Sequence, residues 1–167
     1  LMTTWNGADR ISSDQPLYFG RPNTWGQRAA NILIQQSDLV LAVGTRLGLQ
    51  QTGFAWEDFV PNGKVIQIDI DKSELDKGHP RIEHGINVDS GQFLIALFSN
   101  TKDLGLDFSS WVEFCNNVTE LLPLNDPNNL TKPEFIDPYL FGMALSGAAD
   151  SNAVLVPCSS GSSFTVL

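Results

Sequence analysis

The stretch Leu39–Asp71, LVLAVGTRLGLQQTGFAWEDFVPNGKVIQIDID, decides the fold. It contains two apolar runs, LVLAV and KVIQI, which stop at Gly44-Thr45-Arg46 and at Asp69-Ile70-Asp71. Short continuous apolar runs suit strands covered on both faces, as in a parallel sheet. Val65 and Ile66 are β-branched, and Ile68 and Ile70 continue the second run, which strengthens the strand reading. Pro61-Asn62-Gly63 marks the turn that precedes it.

Upstream, WGQRAANILIQQS places Ala29, Ile32, Leu33 and Gln36 at helical spacing, with Gly26 near the start and Ser37-Asp38 as the stop. Downstream, Pro80 bars a helix and RIEHGINV reads as a third, weaker strand. GQFLIALFSN then reads as a helix with Phe93, Leu94, Leu97 and Phe98 on one face. Strands alternating with helices over short links predict an open parallel α/β sheet with helices on both faces.

The composition shifts after about Asn100. SSWVEFCNNVTELLP is an amphipathic helix whose opening, Ser110 to Glu113, has the spacing of a capping box. LNDPNNLTKPEFIDP is a linker or an exposed crossing between domains. PYLFGMALSGAA is a further helix with Pro at its start, and NAVLVPCSSG is a last strand and turn. Both ends read as cut: LMTT has the character of a strand interior, and SSGSSFTVL that of a strand-to-helix turn only begun. The chain is therefore expected to be a piece of a longer polypeptide, truncated at both ends.

The 167 residues suffice for one domain with a sizeable core, and a formal charge of -9 with ten Lys and Arg argues against sequence-independent nucleic-acid binding. Cys115 and Cys158 are too few and too far apart for a disulfide framework or a zinc site, and the two His are equally scattered. No apolar run approaches the ~20 residues that span a bilayer. With no leader pattern at LMTTW, a cytoplasmic protein is expected.

Ligands of open parallel sheets bind beyond the carboxyl ends of the strands, where Gly44, Thr45, Arg46, Asp69, Ile70 and Asp71 fall. A glycine there admits close approach to the backbone, an arginine reaches phosphate, and an aspartate accepts hydrogen bonds from ribose hydroxyls. Purely local roles stay open beside this: Gly44 ending a strand, and Asp69 or Asp71 capping a helix that starts near Ser73. Trp5, Trp25 and Trp56 read as core or interface residues, and Glu57-Asp58 as a solvated acidic surface. The Ser-Ser-Gly-Ser-Ser run near the C-terminus offers N–H groups and hydroxyls to an anion and lacks the spacing of a serine nucleophile elbow.

The order of these motifs resembles the central domain of thiamine-diphosphate-dependent enzymes of the acetolactate synthase type. The resemblance rests on GRPNTWGQRAANILIQQSDLVLAVGTRL, on TGFAWEDFVPNGKVIQIDIDKSEL and on the closing INVDS, across roughly residues 1–100. It implies a Rossmann-like central domain of the DHS-like NAD/FAD-binding kind over 1–100, a helix and linker over 101–137, and the beginning of the diphosphate-binding domain over 138–167.

Carried over by motif, the cofactor-binding residues are Gly20 and Gly26 in the loop, Gly44, Thr45 and Arg46 after one strand, and Asp69, Ile70 and Asp71 after the next. Val88 and Asp89 follow at the last step, and Gly161, Ser162 and Ser163 fall where the family first contacts thiamine diphosphate. No catalytic residue and no metal ligand is assigned within this chain. The implied activity is decarboxylation of a 2-oxo acid and carboligation, with thiamine diphosphate and Mg²⁺ in the full-length protein. This segment would be structural, cofactor-supporting and inactive alone. Partners implied are a 2-oxo acid and further copies of the chain in a homodimer or homotetramer, with no nucleic acid and no membrane.

The sequence departs from the family pattern at Leu47-Gly48-Leu49, where acidic residues are usual, at Val88, where Gly is usual, and at Gly161-Ser162-Ser163, where Gly-x-His is usual. These departures count against FAD and leave another nucleotide open. They also point to a subgroup distant from the biosynthetic enzyme. By the family pattern the first strand of the domain and the activating glutamate precede Leu1, and the Mg²⁺-holding segment follows Leu167. Apolar surface is accordingly expected where that first strand would pair. The alternative function is a non-catalytic nucleotide-binding or structural α/β module. A deacetylase of the sirtuin type, with a related sheet, lacks its zinc-binding cysteines here.

Overall fold

The computed structural model describes residues 1–128, 131–150 and 152–156. Three strands, β1 (Leu39–Val43), β2 (Lys64–Asp69) and β3 (His84–Asn87), form one sheet in the order β1-β2-β3. Both pairings are parallel, with Val43 beside Ile68 and Asp69 beside Asn87. The helices are α1 (Arg28–Gln36), α2 (Leu49–Thr52), α3 (Lys72–Asp76), α4 (Ser90–Thr101), α5 (Ser109–Leu121) and α6 (Pro138–Ala148). The parallel α/β order read from the sequence is the observed one.

A parallel pair cannot be joined by a tight hairpin, so each link between strands must leave the sheet and return. The β1–β2 link carries α2 and delivers Phe59 and Val60 into the core; the β2–β3 link carries α3. The core cluster is Ala42, Leu47, Phe59, Val60 and Val65, with Ile34, Val40 and Ile82 against it. Two of its members have left-handed backbones, Leu47 at φ 48° and Val60 at φ 51°. That conformation costs about 1–2 kcal/mol per non-glycine residue. Both residues are almost fully buried, and the Gln35 Oε1 accepts the Val60 N–H at 3.2 Å, so packing and a hydrogen bond hold them there.

Alternation along β2 puts Val65 and Gln67 on one face of the sheet and Ile66 and Ile68 on the other. The Leu75 side chain of α3 lies against Gly85, the β3 partner of Gln67, so α3 covers the Gln67 face. Ile68 is fully buried as well, and α4 is the other helix lying against β2.

Several local expectations are corrected. The upstream helix starts at Arg28, because Gly26 and Gln27 are tied back by Gly26 N–H to Asn23 O and Gln27 N–H to Arg21 O. Its buried side chains are Ala29, Ala30 and Leu33, while Ile32 is exposed. β1 is not covered on both faces: Leu39 and Leu41 are 49% and 41% exposed, since the core fills only the Val40 and Ala42 side. The apolar face of α4 is open too, with Phe98 68% exposed.

The Ser110–Glu113 capping box does not form. Ser110 lies inside α5, and the Asp107 carboxylate takes the Ser109 N–H at 2.8 Å instead. Residues 153–156 belong to no strand, and Pro157 to Gly161, the rest of the strand and turn expected there, lie outside the described residues.

Helix α6 begins as read, with Pro138 at its first turn and Asp137 as its N-cap. The Asp137 carboxylate is held below the usual range by the Leu140 N–H, the Thr131 hydroxyl and the Tyr139 N–H, against the opposing pull of desolvation. A carboxyl with a depressed folded pKa stabilises fully above its ordinary value of 3.8 and loses that contribution as pH falls below it. Thermal midpoints measured between about pH 6 and about pH 3 should therefore fall more steeply for the native chain than for Asp137→Asn. Equal slopes would remove the cap from the acid response.

At the β2 entry, a Cβ on Gly63 would collide with the Ser37 carbonyl oxygen and sit 2.7 Å from Val60 Cγ1. Gly63→Ala should cost about 1–3 kcal/mol in urea unfolding. Gly147→Ala, in α6 with nothing within 4 Å, should instead be neutral or stabilise by up to about 1 kcal/mol.

Candidate functional site

The ends of the three strands converge on one rim. Parallel pairing carries Gly44 alongside Asp69, and the Gly44 N–H donates to Ile68 O at 2.9 Å. The Val88 N–H donates to Asp69 O at 3.2 Å, which brings the end of β3 to the same edge. Asn87 straps the end of β2 by donating from Nδ2 to Asp69 O at 3.0 Å and to Ile70 O at 2.8 Å. Gly44 has φ +62°, and a Cβ there would stand 2.7 Å from the Ser90 Oγ at the start of α4. The rim is thus closed from β1 to α4 across the tip of β2.

The aspartates have local partners that use part of each carboxylate. Asp69 Oδ1 accepts the Asp71 N–H at 2.9 Å. Asp71 caps α3 through the Ser73 hydroxyl at 2.7 Å and N–H at 2.8 Å, and these two bonds hold its carboxyl below the usual range. Asp89 caps α4 by accepting the Gln92 N–H at 3.0 Å. A carboxylate has roughly four acceptor positions, so each keeps capacity for a hydroxyl donor. Ile70 is 73% exposed between the first two.

The loop after β1 is held from beneath. Gln67 is fully buried, and its Nε2 donates to Thr45 O at 3.1 Å. Lys77 Nζ donates to Arg46 O, to Leu47 O at 3.4 Å and to Glu74 Oε2 at 2.9 Å. The Arg46 side chain, 75% exposed, faces Glu74 at 3.6 Å.

Gly20 and Gly26 belong to a second locus. They line a cleft of about 850 Å³ between the loop before α1 and the C-terminal end of α5, walled also by Tyr18, Arg21 and Tyr139. Side chains or backbone occupy the place of a Cβ at both glycines, so the loop closes tightly on itself. Trp5 and Trp25 stack at 6.4 Å on this cleft. The two loci are joined through α2: the Thr24 N–H donates to Gln50 O at 2.8 Å, and Gln51 Nε2 donates to Pro22 O. The Cys115 thiol beneath α1 is buried, and desolvation pushes its pKa up, which makes it a core group rather than a nucleophile.

Gly44, Thr45, Arg46, Asp69, Ile70, Asp71, Val88 and Asp89 are therefore gathered at one rim, with Gly20 and Gly26 one helix away. Gly161, Ser162 and Ser163 lie outside the described residues. Sequence reasoning missed Gln67, Lys77, Asn87 and Ser90. A polar residue inside an apolar strand was a usable signal for Gln67. Nothing local marks Lys77 as a clamp, since the carbonyls it holds lie 30 and 31 positions upstream.

Asp69, Asp71 and Asp89 thus keep acceptor positions at a rim where Gly44 is exposed. No helix among the described residues is long and apolar enough to cross a membrane.

Residues 1–97 match the family model described as thiamine pyrophosphate enzyme, central domain. The acetolactate synthase large subunit of Corynebacterium glutamicum is 29% identical over 142 residues, covering 81% of this chain and 22% of that protein. A probable acetolactate synthase large subunit of Methanococcus aeolicus is 34% identical over 156 residues, covering 81% and 24%. Acetolactate synthase 1, chloroplastic, of Zea mays is 27% identical over 156 residues, covering 88% and 24%. The chain thus spans about a quarter of the length of these relatives.

Gly44→Ala places a Cβ against Ser90 Oγ on a left-handed backbone. It should cost about 1–3 kcal/mol in urea unfolding. Adding Ser90→Ala relieves the contact but not the backbone strain, so the double variant should recover only part of the loss. Native stability in Gly44→Ala would contradict the closed rim.

Proposed function

The chain belongs to the thiamine pyrophosphate enzyme family through its central domain, and on that premise we propose that it is the central part of an acetolactate synthase-like enzyme acting on a 2-oxo acid. The observation that carries this reading is the register that sets Gly44 beside Asp69 within the span matched to that domain. The domain division follows as part of the proposal: a central domain over 1–100, a helix and linker over 101–137, and the opening of the diphosphate-binding domain over 138–167.

Thiamine diphosphate, held with Mg²⁺ by the complete protein, supplies an electron sink for decarboxylation of the 2-oxo acid. The residues of this chain do other work. Asp69, Asp71 and Asp89 accept hydrogen bonds from a nucleotide's ribose, Gly44, Thr45 and Arg46 present backbone and charge beside it, and Ile70 and Val88 flank it. Gly20 and Gly26 shape the neighbouring cleft. Gly161, Ser162 and Ser163 are the proposed first contacts to thiamine diphosphate. The nucleotide is FAD or another of similar size, and it serves structure rather than the reaction. The complete enzyme acts as a homodimer or homotetramer in the cytoplasm.

The test uses the complete protein that contains this chain, assayed for conversion of pyruvate to acetolactate with thiamine diphosphate and Mg²⁺. Turnover should need both and vanish with a chelator, and the 167-residue chain alone should be inactive. Cofactor-independent turnover, or none with any 2-oxo acid, would overturn the assignment. An absorbance spectrum of the same preparation tests for flavin: flavin bands support FAD, and their absence rules out bound flavin.

A further inference from the structure

The carbonyls of Thr45, Arg46 and Leu47 are successive, and all three accept side-chain donors that come from outside their own loop. Gln67 on β2 takes the first, and Lys77 just beyond α3 takes the other two. Both donors are removed from solvent: Gln67 is fully buried, and the Lys77 side chain is 15% exposed. Glu74 supplies the Lys77 counter-charge at 2.9 Å and also faces the Arg46 guanidinium. An ammonium in this position directs two carbonyls at once, and hydrogen bonds to charged groups are stronger than neutral ones.

In a planar trans peptide the carbonyl of one residue and the N–H of the next point in opposite directions. Drawing the carbonyls of Thr45, Arg46 and Leu47 toward Gln67 and Lys77 therefore turns the N–H groups of Arg46, Leu47 and Gly48 the other way. Among the described residues, none of these N–H groups donates to a protein acceptor. The left-handed backbone of Leu47, buried to 2% exposure, fits the same clamped arrangement.

We infer that Lys77, seconded by Gln67, is the positioning residue of the rim: it holds the loop after β1 so that the backbone N–H groups of residues 46–48 stay available to an anionic group of the nucleotide. This rests on the nucleotide reading of the rim given above. Lys77 touches no ligand in this assignment. Its positive charge is spent on the protein's own carbonyls and on Glu74.

The loop itself reports on the clamp. The Arg46–Leu47 bond is a trypsin site, its arginine side chain is exposed, and Lys77 holds the carbonyl of that bond. The experiment compares the complete protein with its Lys77→Met and Lys77→Arg variants. Three quantities are read: the rate of tryptic cleavage after Arg46 by mass spectrometry, the affinity for adenosine 5′-diphosphate by calorimetry, and the thermal midpoint.

Lys77→Met should raise cleavage after Arg46 about tenfold and weaken nucleotide binding about tenfold. Lys77→Arg, which keeps a charged donor, should restore most of both. Lys77→Gln serves if Lys77→Met does not fold. Cleavage at the native rate in the variants lacking the charge would overturn the clamp, whatever the affinity does. A fall in binding that tracks a general fall in thermal midpoint, unrescued by arginine, would also overturn it by reducing Lys77 to a stability residue. If the native protein binds no nucleotide while Lys77→Met still opens the loop, the clamp stands and the nucleotide reading of the rim fails.

Discussion

Parallel pairing of β1 with β2, in the register that sets Val43 beside Ile68, governs the rest of the structure. Parallel strands run the same way, so their carboxyl ends share an edge, and whatever follows each strand meets there. A shift of one residue would turn Ala42 and Val65 out of the core and Leu41 and Ile66 into it, because side chains alternate between faces. The cluster of Ala42, Leu47, Phe59, Val60 and Val65 resists that shift. It also secures two residues, Leu47 and Val60, in a backbone conformation that they would otherwise avoid.

The rim leaves room for structural and binding roles on the same groups. Asp71 and Asp89 cap helices, and Asp69 braces the turn between β2 and α3. None of these roles exhausts a carboxylate, which keeps lone pairs for a hydroxyl donor. The alternatives for these residues, capping against ligand contact, are therefore not exclusive. The cap fixes the carboxylate's position, and a fixed acceptor loses less freedom on binding than a mobile one.

The second locus, around Gly20 and Gly26, is mechanically tied to the first. Backbone and side-chain hydrogen bonds join residues 22 and 24 to residues 50 and 51, immediately beyond the loop that Lys77 holds. The short helix α2 is the element through which the two loci are linked. The exposed apolar side chains of β1 and α4, Leu39, Leu41, Ile95 and Phe98, lie apart from both loci.

The order of strands and helices, their parallel sense, the proline start of α6 and the gathering of Gly44 with Asp69 were legible in the residues, because period, turn chemistry and strand-end composition are local. The family could be read there too, since its motifs lie in order along 1–100. Apolar periodicity did not reach the true start of α1, which closure of the preceding loop on Arg21 and Asn23 decides. Nor did it reach the failed capping box at Ser110, where Asp107 competes for the same first turn. Lys77 is the clearest case. Its meaning depends on carbonyls thirty residues away that only folding brings beneath its ammonium, and no spacing along the chain encodes that distance.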